Sequence, residues 1–197
     1  MTLWYLMRAL GFSALGVLSI ATALGAASTH GAPTSAGLDR RVVRQLVHRS
    51  TAVVGLVLLT LHLVCVVVDA YVPISLSGVL LPFTAGYRAL ALGLGTLALY
   101  ALVVTALSGI ARGALAARRS TGRSWRLVHS SAYGGWALAM LHGLFGGSDT
   151  HQPWALALYA ACAVAVVGAL LQRLAVAPRR TLDPRGHRRL TSSGALR

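Results

Sequence analysis

Residues 48–62 read HRSTAVVGLVLLTLH, an apolar run with a histidine at each end, fourteen positions apart. Residues 129–142, HSSAYGGWALAMLH, repeat the arrangement with a spacing of thirteen. Each run belongs to an apolar stretch long enough to cross a bilayer, which needs about 20 residues of helix. Ionisable side chains at membrane depth are costly, so those that occur there mark functional sites by default. His48, His62, His129 and His142 therefore organise the reading of the remaining chain.

Composition supports a membrane setting. Of 197 residues, 56% are hydrophobic and 11% charged, and the mean hydropathy is +0.68; soluble domains of this size carry far more charge. The net charge of +14 raises the question of nucleic acid. The arginines, however, sit in connections and in the tail, where the positive-inside rule accounts for them, so no nucleic-acid partner is expected. Cys65 and Cys162 lie inside apolar runs and read as small buried hydrophobes rather than a disulfide framework. No glycine-rich phosphate loop between a strand and a helix is present, nor any strand pattern.

The pattern predicts an all-α membrane protein, a bundle of five transmembrane helices. The first spans Leu3 to Ala27, with Arg8 inside it, which argues against a signal peptide; the small residues from Ala23 to Ser28 are its one resemblance to a cleavage site. A loop follows from Ser28 to Leu38, and Asp39 is a candidate N-cap for a second helix over Arg41 to Ala70. Between Pro73 and Pro82 the piece Ile74–Leu81 is too short to span and reads as interfacial. The third helix covers Tyr87 to Ala117. Ser124 is a candidate cap for the fourth, Trp125 to Phe145. Gly146 to Asp149 make a turn, and Pro153 suits the first position of a fifth helix ending near Leu174. Residues 1–174 thus form the membrane domain, and 175–197 a basic tail expected to be disordered. His30, His151 and His187 fall in loops and tail and read as solvated.

Arginines cluster at the first connection (Arg40, Arg41, Arg44), the third (Arg112, Arg118, Arg119, Arg123, Arg126) and the tail, leaving Arg88 nearly alone on the opposite side. By the positive-inside rule those three segments are cytoplasmic, so the N-terminus lies outside and the C-terminus inside. The second and fourth helices then run in the same direction. His48 and His129 share an inner level, His62 and His142 an outer one, about 20 Å away at ~1.5 Å per residue. Two levels of paired imidazoles suit two stacked haems of the b type, each iron taking one histidine from each helix. Gly55, Gly134 and Gly135 lie between the paired positions and either clear space for a macrocycle or serve ordinary helix packing. Arg44 and Arg126 precede the inner histidines by four and three residues. With Arg88 they are candidates for the haem carboxylates, the bland alternative being topology alone. The spacing of thirteen leaves His129 and His142 about 140° apart on an ideal helix. Three arrangements meet this: a distortion around Gly134 and Gly135, two haems rotated against each other, or a single haem.

On these residues the chain resembles the ferric reductase-like transmembrane domain of the NADPH oxidase and ferric reductase superfamily. Further segments carrying the likeness are PFTAGYRALALGLG (82–95) and LVHSSAYGGWALAMLHGL (127–144) with the GSDT that follows. The pattern of the short actinobacterial members covers the chain from Leu3 to Leu174. The resemblance implies that His48, His62, His129 and His142 ligate two b-type haems and that the protein is the haem-carrying membrane component of an oxidoreductase. The chain departs from the family in having five expected spans rather than six and no flavin and nicotinamide module. A separate donor, flavoprotein or quinol, and an unspecified acceptor are therefore implied. Two other readings compete: a haem-free transporter using the histidines as a proton relay, and a non-catalytic anchor for a soluble redox partner.

Overall fold

The computed structural model describes residues 2–27, 35–70, 74–115 and 122–175. Within them the chain is helical: α1 (Thr2–Ala27), α2 (Ser35–Val68), α3 (Leu76–Leu80), α4 (Ala89–Leu115), α5 (Gly122–His129), α6 (Ser131–Gly146) and α7 (Pro153–Ala175). The basic tail, His30 and His187 lie outside the described residues, while His151 is exposed. Helices α1, α2, α4 and α7 are each long and apolar enough to cross a membrane. Their outward faces carry large apolar side chains such as Val53, Val57, Val64, Leu107, Ile110 and Val164. A soluble protein does not leave apolar surface of that extent in water. This is a multi-pass membrane protein.

Helix boundaries follow local chemistry. α2 begins at Ser35, ahead of the expected cap, so Asp39 sits inside its first turns. α5 likewise starts at Gly122, and Ser124 is helical rather than capping. The short apolar piece after the second connection forms α3, where the Ser75 hydroxyl accepts the Gly78 N–H at 3.1 Å. Thr96 and Tyr100 of α4 donate their hydroxyls to Val79 and Leu80 carbonyls, which docks α3 on α4. Pro153 opens α7 as expected, at a position where its missing N–H costs nothing. Within the apolar helices Ser19, Thr22, Thr51 and Thr60 return their hydroxyl protons to carbonyls four residues back. That satisfies each hydroxyl where no water is at hand.

The fourth apolar run is broken. Ser130 separates α5 from α6 with φ −69° and ψ −10°. Its N–H lies within reach of both Arg126 and Leu127 carbonyls, at 3.0 and 3.2 Å, and its own carbonyl accepts Tyr133 N–H at 3.1 Å. These i→i−3 bonds tighten the turn, and tighter turns add rotation per residue. The added rotation carries thirteen residues from about 3.6 turns towards four. The distortion expected around Gly134 and Gly135 thus falls at Ser130, directly after His129.

α1 sits centrally, packed along α2 and also against α6 and α7, while α4 packs along α6. The core beside α7 gathers Leu15, Ala155, Tyr159 and Cys162, with Phe12 edge-on to Trp154 at 4.9 Å. Cys65 and Cys162 are both buried and free, as small apolar residues would be. α2 and α6 approach from opposite sides of a cavity instead of packing on each other.

Candidate functional site: four imidazoles at two levels

The histidines meet in pairs, one from α2 and one from the α5–α6 run. His48 and His129 bring their ring centres to 6.4 Å, with the ring planes 76° apart. His62 and His142 line one apolar cavity of about 220 Å³ together with Leu59, Leu99 and Trp136.

Each imidazole is held from behind by a neighbouring helix. His48 Nδ1 donates to the Ala21 carbonyl at 2.8 Å, and His62 Nδ1 to the Met7 carbonyl at 2.8 Å, both on α1. His142 Nδ1 donates to the Ala91 carbonyl on α4 at 2.7 Å. A carbonyl only accepts, so in all three the Nδ1 carries the proton and Nε2 keeps its lone pair. His129 Nδ1 lies 2.8 Å from the Ser108 hydroxyl, which itself donates to the Thr105 carbonyl at 2.7 Å. That hydroxyl has one proton, so it too accepts from the ring. All four imidazoles thus keep the Nε2 lone pair available, with the second nitrogen bonded to backbone or hydroxyl, an orientation that metal-binding histidines share.

Glycines permit this approach. A Cβ built on Gly25 would stand 3.1 Å from His48 Cε1, and on Gly11 3.1 Å from His62 Cε1. On Gly95 it would stand 2.7 Å from His142 Nδ1, and on Gly109 3.6 Å from His129 Cε1. Each of these glycines lies four residues after the carbonyl that receives, directly or through Ser108, the histidine proton. At Gly11, Gly25 and Gly95 a side chain would hold the ring off the backbone, while at Gly109 it would meet the ring at ordinary contact distance. The pairs Gly11/Gly25 and Gly95/Gly109 are both fourteen apart, the histidine spacing of α2. That repeat was the available sequence signal, on the two helices that carry no histidine of the set.

The glycines singled out from sequence have other surroundings. Gly55 is buried, and a Cβ there would come within 2.7 Å of Leu18 on α1. Gly135 packs against Ala101 and Leu102 of α4, whereas Gly134 is exposed with nothing within 4 Å. The arginines also divide. Arg44 is partly buried and donates to the Ala27 carbonyl at 2.8 Å; Arg126 is exposed. Arg88 has φ 42°, donates to the Gly146 carbonyl at 2.8 Å and borders the cavity of His62 and His142. Arg8, read from sequence only as a feature of the first helix, borders the same cavity and pairs with Asp149.

The donor set restricts the chemistry. Among the described residues no three His, Cys, Asp or Glu side chains converge, as a closed structural metal site requires. Imidazoles in twos match the two axial positions that a haem iron offers. A metal bound by two imidazole nitrogens at about 2 Å each sets the ring centres about 6 Å apart, close to the 6.4 Å between His48 and His129. The residues present therefore fit a bis-histidine haem. No family model matches the chain, and neither a curated protein nor a solved structure matches it.

Proposed function

We propose that this protein moves electrons across a membrane on two b-type haems, one held by His48 and His129, the other by His62 and His142. The reading rests on one observation: four imidazoles paired at two levels, each bonded through Nδ1 to a neighbouring helix, which leaves Nε2 for iron. Haem supplies the one-electron chemistry, and the protein contributes binding, orientation and tuning. The chain's residues orient the rings, keep water from the His62–His142 level with apolar side chains, and present Arg8 and Arg88 at the cavity rim, where carboxylates are bound well. Arg44 and Arg126 are assigned the same role at the other level.

On this reading α5 and α6 together make a fifth span. The 25 residues from Gly122 to Gly146 reach about 37 Å, enough for a core of about 30 Å. Arginine placement sets the N-terminus outside and the C-terminus in the cytoplasm, in a multi-pass protein of the cell membrane. His48 and His129 then lie at the cytoplasmic level. A separate flavoprotein or membrane quinol supplies the electron. The protein is the haem subunit of an oxidoreductase, as its resemblance to the ferric reductase-like domain implies.

The test is a reduced-minus-oxidised spectrum of the purified protein with a pyridine haemochrome count. Two haems per chain, with Soret and α bands that shift on dithionite reduction, are expected. A colourless, haem-free protein that folds and stays haem-free when haem is supplied would sink the proposal.

A further inference from the structure

His129 stands apart from the other three histidines in how it is oriented. The break at Ser130 uncouples it from the helical phase of α6, so the helix carrying His142 does not set its direction. Besides the Thr105 backbone behind it, the ring meets the Ser108 hydroxyl. The Trp125 ring, one turn earlier on α5, stacks on the imidazole with centres 4.8 Å apart and planes 20° from parallel. Trp125 Nε1–H donates to the Ser108 carbonyl at 2.8 Å, and the hydroxyl of the same serine accepts from His129 Nδ1 at 2.8 Å. The Arg112 guanidinium lies over the indole, 4.3 Å from its centre.

A guanidinium within about 6 Å of an indole is attracted by the ring's negative face, and offset aromatic pairs add to that. Arg112 and Ser108 of α4 thus grip Trp125 from two directions, and Trp125 fixes the plane of His129. We infer that Arg112 and Trp125 are positioning residues for the His129 ligand, and that through it they set the ligand-plane angle and the reduction potential of the haem at the His48–His129 level. The inference rests on the proposed haem ligation. Two consequences follow from the geometry. The near-perpendicular angle of 76° between the rings depends on a stack that clamps one of them. The fixed positive charge of Arg112, beside the Trp125 ring that stacks on His129, favours the state with one electron more.

The experiment compares wild type with Trp125→Phe, Trp125→Leu and Arg112→Gln, all purified with haem. Low-spin ferric EPR reads the angle between ligand planes, and a redox titration reads both haems separately. For Trp125→Leu we expect one of two EPR signals to change its g-anisotropy, or that haem alone to be lost; Trp125→Phe, which keeps a stacking ring, restores the signal. For Arg112→Gln we expect the potential of that same haem to fall by about tenfold in its reduction equilibrium, 59 mV for a one-electron couple. The other haem stays unchanged throughout. A Trp125→Leu protein with wild-type EPR, or an Arg112→Gln protein with wild-type potentials, each binding both haems, overturns the inference while leaving the proposed function intact, whereas a wild type without haem overturns the function itself. If Trp125→Leu fails to accumulate, Arg112→Gln decides by the potential of that haem, since it leaves the aromatic ring in place.

Discussion

The α1–α2 pair and the α4 pair with α5–α6 hold the same object in unequal ways. On α1 the carbonyls of Met7 and Ala21, and Gly11 and Gly25, repeat every fourteen residues, in step with His48 and His62 on α2. One continuous helix meets another, and the same contact forms twice. On α4 the repeat persists in Ala91 and Thr105 and in Gly95 and Gly109, but the histidines opposite are thirteen apart. The shortfall is met in part at Ser130 by a tightened turn, and His129 is met by the Ser108 hydroxyl beside the Thr105 backbone. A regular helix delivers equal contacts only when the two spacings agree; otherwise a break must make up part of the difference.

The sharpest way to break that comparison is to remove one ligand from each pair of helices. On the proposed function His142→Ala and His62→Ala each leave one haem per chain, and both leave the His48–His129 haem spectrally intact. A pyridine haemochrome count checks this, and loss of both haems, or of neither, contradicts separate levels.

The glycines provide a graded test. Gly95→Ala forces a methyl to 2.7 Å from His142 Nδ1, so the ring must leave the Ala91 carbonyl; overpacking of this kind costs about 1–3 kcal/mol. Gly11→Ala and Gly25→Ala, with closest approaches of 3.1 Å, are milder. Gly109→Ala, at 3.6 Å, meets ordinary contact and is expected to be neutral. Haem retention during thermal unfolding in detergent ranks the four, and an equal response at Gly95 and Gly109 would contradict the difference drawn between the levels.

Helix packing is separable from ring clearance. Gly55→Ala drives a methyl to within 2.7 Å of Leu18 and should lower stability by about 1–3 kcal/mol. Gly134→Ala meets nothing and should gain up to about 1 kcal/mol from helix propensity. Opposite shifts in unfolding temperature are the expected readout. A small effect is expected beside His129: Ser108→Ala removes the hydroxyl at its Nδ1, a loss of about 1 kcal/mol, seen as weaker retention of the His48–His129 haem only.

Much of this architecture was legible in the chain because membrane helices announce themselves by length and apolarity, and because histidine is conspicuous against Leu, Val and Ala. The spans of α1, α2, α4 and α7, the short α3 and the start of α7 at Pro153 follow from that alone. The exact starts of α2 and α5 did not, since Asp39 and Ser124 are good caps that the helices run past. Sequence reasoning looked for clearance glycines on the helices that bear the histidines and so chose Gly55, Gly134 and Gly135. The rings instead lean on the facing helices, and the fourteen-residue glycine repeats of α1 and α4 went unread. Arg8 was missed for the same reason: its place on the cavity rim depends on how α1 lies against its neighbours.

The sequence alone determined an apolar helical protein with four histidines at spacings of fourteen and thirteen in apolar runs, because hydropathy and periodicity are properties of a single strand of residues. Which nitrogen of each ring is bonded, which glycine stands behind it, where the thirteen-residue run bends and which aromatic steadies His129 were decided only by tertiary structure. Those are relations between helices, and no helix carries the coordinates of its neighbour in its own periodicity.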